Sequence, residues 1–182
     1  MKIKILLFAT LFVFGFQMTN AQTFEKGTKV LNLGVGLGGS YYSGYSGSTH
    51  TPLINAAFDV SVKNVFDDKG AIGIGGYFGY QSAKWSSGAY SWTLSNMVIG
   101  PRGTLHYQFV DKLDTYAGLL LGYHVVNWKY TGYTVNPDNG SSEVYFSGFV
   151  GARYYFSNKF GAYIELGSGA LGNANVGVSL KF

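Results

Sequence analysis

Eight stretches of this 182-residue chain alternate, residue by residue, between apolar side chains and small or polar ones. A period of two gives an extended strand two different faces. The stretches are residues 29–38, 53–63, 71–82, 92–109, 115–128, 143–156, 160–169 and 173–182. In the second, Ile54, Ala56, Phe58, Val60 and Val62 alternate with Asn55, Ala57, Asp59, Ser61 and Lys63. In the last, Ala174, Val176, Val178, Leu180 and Phe182 alternate with Asn175, Gly177, Ser179 and Lys181. A tilted strand needs ~9–11 residues to cross a bilayer, whereas strands of water-soluble domains average about 5–6. The lengths and the even count therefore fit a membrane barrel. The connections alternate too. Residues 64–69, 110–114 and 157–159 form short turns, and residues 40–51, 83–91 and 130–142 form longer loops; 170–172 is brief. Short periplasmic turns opposite longer outer loops are the expected asymmetry. The fold expected is an all-β, eight-stranded antiparallel up-and-down transmembrane β-barrel.

Alternation alone does not say which face points outward, and a soluble lipocalin-like barrel would bury the aliphatic one. Charge decides. Only 12% of residues are charged, about half of the roughly 25% usual in soluble domains. The less apolar faces carry Gly, Ser, Asn and Thr with a few ions, not the Lys and Glu of a wetted exterior. Small residues suit the inside of a narrow eight-stranded lumen. Tyr77, Tyr116, Tyr145, Phe149, Tyr155 and Tyr163 are placed there as filler. Trp85, Trp92, Tyr107, Phe109, Trp128, Tyr154, Phe156 and Phe160, near strand ends, are expected in interfacial girdles. Pro101 falls inside a strand, where it removes a ladder hydrogen bond, and a bulge or kink is expected there.

Residues 1–21 read as a signal peptide. Lys2 and Lys4 precede an apolar run from Ile5 to Phe16, and Thr19-Asn20-Ala21 supplies small residues before Gln22. The run is short of the ~20 residues of a spanning helix, although an N-terminal anchor helix is the other reading. The expected mature chain, residues 22–182, is the barrel domain, in the bacterial outer membrane after cleavage near Ala21-Gln22. The basic balance, 13 Lys and Arg against 9 Asp and Glu, is not clustered, and nucleic acid is set aside as a partner.

The Asn20-Ala21-Gln22 junction, the glycine-punctuated strands, the segment Gly151-Ala152-Arg153-Tyr154-Tyr155-Phe156 and the ending Val176-Gly177-Val178-Ser179-Leu180-Lys181-Phe182 resemble the small outer-membrane β-barrel family of the OmpX/OmpW kind. The resemblance covers essentially the whole mature chain. It implies residence among outer-membrane lipids, and recognition of Phe182, with Leu180 and Val178 before it, by the barrel-assembly machinery.

No catalytic residue, metal site or cofactor is expected. The chain has no cysteine and only three histidines, His50, His106 and His124, without ligand spacing. His106 and His124 share the lumen parity, but no serine stands at the spacing a lipid A deacylase of this shape would need. The inward ions Asp59, Arg102, Arg153, Glu165 and Lys181 are expected to form a structural polar network, with Arg153 and Glu165 in contact, since buried ions need partners. Tyr41, Tyr42, Tyr45, Tyr90, Tyr130 and Tyr133 lie among Ser, Gly, Thr and Asn, an adaptable recognition composition. They are the candidate contacts for a glycan or protein at the surface. The function expected is a structural or surface-interaction role. The alternatives are a narrow channel for small or hydrophobic solutes, a lipid A-modifying enzyme and a soluble carrier.

Overall fold

A computed structural model describes residues 23–38, 49–132, 140–167 and 171–182. The described strands are β1 (Lys29–Leu37), β2 (Thr49–His50), β3 (Leu53–Val65), β4 (Gly70–Ser87), β5 (Tyr90–Val110), β6 (Leu113–Thr131), β7 (Ser141–Tyr155), β8 (Phe160–Gly167) and β9 (Ala174–Lys181). Eight of them close a ring in the order β1-β3-β4-β5-β6-β7-β8-β9, every pair antiparallel. The two-residue β2 adds to the far end of β4, past the break at Thr51-Pro52. The ring shuts where β1 pairs with β9, and Phe182 donates its N–H to the Lys29 carbonyl at 2.9 Å. Closure leaves no unpaired margin, as hydrocarbon demands of any spanning structure. No helix is long and apolar enough to cross a membrane among the described residues.

The aliphatic faces point outward. Leu33, Val35, Ile54, Phe58, Ile74, Ile99, Leu119, Leu121, Val150, Ile164 and Leu166 are all exposed on the outer wall. Asn32, Asn55, Asp59, Ser61, Asn96, Arg102, Thr104, Arg153, Glu165 and Ser179 are buried inside. The lumen is packed by aromatic rings seated over glycines on the neighbouring strand: Tyr116 opposite Gly151, Phe149 opposite Gly118, and Tyr145 opposite Gly122. A Cβ at any of these three glycines would collide with the facing ring. Inward glycine is thus what lets six aromatic side chains share one narrow lumen.

Two expectations about the strands are corrected. Residues 83–91 are not a loop: β4 and β5 run on together to Ser87 and Tyr90, joined by the two-residue turn Gly88-Ala89. Pro101 makes no bulge. The β5–β6 register is the same on both sides of it, Ile99↔Tyr123 and Arg102↔Leu120, and only the Gly100 and Pro101 pairings are missing. The missing donor is absorbed as a local gap in the ladder. The register shifts lie instead at Ser61/Lys63 and at Tyr107/Val110.

Candidate functional site

The strand parity that sends aliphatics out brings ions together inside. β3 presents Asp59, β5 presents Arg102, β6 presents Asp114, β7 presents Arg153 and β8 presents Glu165. The Asp59 carboxylate bridges both arginines: Arg102 Nε lies 3.0 Å away, and Arg153 donates through Nη2. Arg153 Nη1 also donates to Asp114 at 3.0 Å, and Arg102 Nη2 to Glu165 at 2.9 Å. Tyr116 Oη donates to the same Glu165 oxygen at 3.2 Å. The guanidinium of Arg153 lies 4.4 Å from the Tyr116 ring centre, and that of Arg102 4.2 Å from Phe149. Every ion in the cluster has both an opposite charge and a ring or hydrogen bond against it, which is the condition for burying charge.

The expected Arg153–Glu165 contact is replaced by two others. Arg153 pairs with Asp114, directly across from it in the β6–β7 register, and Glu165 pairs with Arg102. An in-register neighbour is nearer than a diagonal one. Asp114 was placed in a turn by the sequence; β6 in fact begins at Leu113, which puts Asp114 on the inward parity with Tyr116. Lys181, expected in this network, makes no ion pair with it among the described residues; it stands at the mouth where β1 begins and β9 ends, with Nζ 4.9 Å from the Tyr155 ring centre and 3.5 Å from the Thr23 carbonyl.

Thr104, His106 and Asp114 form a hydrogen-bonded line, with His106 Nε2 2.8 Å from Thr104 Oγ1 and Nδ1 2.8 Å from Asp114. A hydroxyl, an imidazole and a carboxylate in that order are the parts of a nucleophile relay, and sequence spacing to a serine missed it. The line is closed off from solvent. Phe24 stacks on the imidazole at 3.9 Å, all three groups are buried, and Thr23 holds Phe24 in place by donating its N–H to Gln108 Oε1 at 2.7 Å. The cavity above, lined by Tyr77, Arg102, Tyr145, Phe149 and Glu165, has a volume of about 30 Å³, room for about one water. Among the described residues no group of three His, Asp or Glu side chains could hold a metal.

At the opposite end the polarity of the two faces inverts. Up to the row Tyr80, Met97, Val125 the outward side chains of β4, β5 and β6 are apolar. Beyond it the outward rows are Ser82, Ser95, Asn127, then Lys84, Thr93, Lys129, then Ser86, Ser91, Thr131. The inward positions at these heights are apolar: Ala83, Trp85 and Leu94 form a buried cluster, with Trp92, Val126 and Trp128 against it. From Met97 to Tyr107 the apolar outer wall is ~26 Å tall at ~3.4 Å per residue and ~40° tilt, which matches the ~25 Å band of an outer-membrane barrel. The three strands therefore continue past the hydrocarbon as a sheet with its own small core.

This overturns part of the girdle assignment. All three tryptophans, Trp85, Trp92 and Trp128, are on the inner face of the projection, not on the lipid wall. Trp85 and Trp128 lie 6.1 Å apart, Trp128 and Tyr130 6.4 Å apart, and His50 meets the edge of Trp85 at 6.4 Å. At the end of the barrel where β1 begins and β9 ends, Tyr107 with Phe109, and Tyr154, Phe156 and Phe160, form contiguous outward aromatic groups. Of the candidate contact tyrosines, Tyr90 and Tyr130 belong to strands β5 and β6 of the projection, not to loops. Tyr41, Tyr42, Tyr45 and Tyr133 lie outside the described residues.

A closed antiparallel ring, apolar on its outer wall and packed with ion pairs and aromatic rings within, is an eight-stranded transmembrane β-barrel of the outer-membrane type. A solved structure has the same fold. Ail of Yersinia pestis, in complex with the heparin analogue sucrose octasulfate, is similar over 86% of this chain and 99% of its own, with a TM-score of 0.55 and 11% identity. The N-terminal β-barrel domain of Pseudomonas aeruginosa OprF matches over 87% of this chain and 98% of its own, with a TM-score of 0.45 and 12% identity. No family model and no curated protein sequence matches the chain.

Proposed function

We propose that the chain is an integral bacterial outer-membrane protein whose work is done at its outer rim, as a surface-interaction barrel without catalytic or conducting function. The observation that carries this reading is the contrast between the two ends. The lower lumen is filled by ion pairs and stoppered by Phe24, whereas β4, β5 and β6 carry an ordered sheet beyond the membrane. Tyr90 and Tyr130 on that sheet, with Tyr41, Tyr42, Tyr45 and Tyr133, supply contacts to a glycan or protein. Ail, with a heparin analogue bound, is a barrel of this shape with a carbohydrate-like ligand. Export rests on residues 1–21 as a signal peptide. Insertion rests on Phe182, Leu180 and Val178 as the strand that the assembly machinery reads.

The test has two parts. In planar bilayers the refolded barrel gives no steady single-channel current, and cells displaying it gain binding to a glycan or host-surface array that Tyr90→Ala/Tyr130→Ala reduces. Steady currents would replace this reading with a narrow channel.

A further inference from the structure

We infer that the outward face of the β4–β6 projection is a seat for the phosphate-bearing head of an outer-leaflet lipid, gripped between Lys84 and Lys129. The register places Lys84, Thr93 and Lys129 side by side in one row. Strands ~4.8 Å apart put the two lysines ~10 Å apart with the threonine hydroxyl between them. The row below is Ser82, Ser95 and Asn127, and the row above is Ser86, Ser91 and Thr131. Among the described residues this outward patch thus holds two cations, a set of neutral donors and no carboxylate.

Its height fits a headgroup. The lysine row lies ~10 Å beyond the last apolar row at Met97, at the rise and tilt used above. Lysine stems bend their ammonium groups toward the interface, which brings both charges to phosphate level. A lipid, as opposed to a free phosphate ion, is favoured by what lies beneath, on β4, β5 and β6 and the adjoining β3 and β7. An outer-wall groove of about 730 Å³ is lined by Ile74, Pro101, Leu119, Leu121 and Phe146. It exists because Gly103 presents no side chain there, with nothing within 4 Å of where a Cβ would stand. From Lys129 down to Leu121 is ~21 Å at the same rise and tilt. A head at the lysines and an acyl chain in the groove occupy both features with one molecule.

The test uses the full barrel in phosphatidylcholine nanodiscs doped with either bis-phosphorylated lipid A or its dephosphorylated form, with retained glycolipid counted by native mass spectrometry. Wild type should retain the phosphorylated form preferentially. Lys84→Gln/Lys129→Gln should lower that retention roughly thirtyfold at low salt, about fivefold for each lysine, with the heat-induced gel shift unchanged. Lys69→Gln, at the periplasmic turn, should leave retention as it is. Equal retention by the double variant, or of the dephosphorylated lipid, would overturn the assignment. So would an equal loss from Lys69→Gln, which would mean general charge attraction. Inorganic phosphate should displace the lipid better than chloride at matched ionic strength; displacement no better than chloride would mean charge screening alone and would overturn the assignment too.

Discussion

Arg153→Met tests the ion cluster most directly. Arg153 is fully buried, and it neutralises Asp114 at 3.0 Å and shares Asp59 with Arg102. Methionine keeps much of the volume and the contact with the Tyr116 ring but removes the charge. Asp114 is then left with His106 and Asp59 with Arg102, so three carboxylates face one guanidinium. Removing one partner of a buried pair costs about 3–5 kcal/mol, because the other charge is left uncompensated. Changing Asp114 to Asn in the same chain removes one of the stranded carboxylates. Arg153→Met/Asp114→Asn should therefore be less destabilised than the sum of the two single changes, with a coupling of about 1–3 kcal/mol. Urea unfolding of the barrel in phosphatidylcholine vesicles, followed by the heat-sensitive gel shift, measures all three variants. A loss below about 1 kcal/mol for Arg153→Met, or strictly additive costs, would refute the claim that these ions hold one another in place.

Four further outcomes follow from the geometry. Ile74→Lys, on the hydrocarbon wall, should cost about 2–4 kcal/mol, whereas Ser91→Lys, beyond the polarity inversion with Ser86 and Thr131 beside it, should stay within about 0.5 kcal/mol; the same urea titration reads both. Tryptophan emission should be quenched weakly by acyl-chain bromines placed close to the headgroups, because all three indoles sit on the inner face above the membrane; strong quenching would return them to a girdle. Phe24→Ala should lower stability by about 3 kcal/mol by uncovering His106, seen as an earlier unfolding midpoint. Lys112 holds a φ of +64° in the Asp111-Lys112 turn, so Lys112→Gly should raise stability by about 0.5–1 kcal/mol in that titration.

Alternation carried the architecture because the bilayer enforces it: every second residue of Leu31 to Leu37 or Ile54 to Phe58 must meet lipid. The same rule hid the rim. Past Tyr80 and Met97 the outside is water, and the parity that meant "apolar outward" reverses without any break in the strand. Ala83 to Ser91 therefore looks like a polar loop, although its inward residues, Ala83 and Trp85, pack as a core. Trp92 and Trp128 were assigned to a girdle for the same reason. Inside the lumen the inward set was legible but its pairing was not. Which carboxylate meets Arg153 depends on register across three strands, and a boundary one residue away moved Asp114 from turn to lumen. Phe24 gave no periodic signal, because it enters the mouth as a single residue ahead of β1.

The inversion also explains why one side of the ring is built so tall. β5 has 21 residues and β8 and β9 have 8 each, yet all need only the same hydrocarbon crossing. The extra length of β4, β5 and β6 stabilises nothing in the membrane. Outside it, a lone hairpin is marginal in water, and three strands with an apolar face are the least that holds. Three long strands carrying Trp85, Trp92, Leu94 and Trp128 on one face meet that minimum. A barrel selected only to fill the bilayer would end its strands at Tyr80 and Met97. Continuing them, with a separate core and a charge pattern on the outer face, gives the chain an ordered polar surface beyond the hydrocarbon, while the ion cluster and Phe24 pack the lumen beneath it.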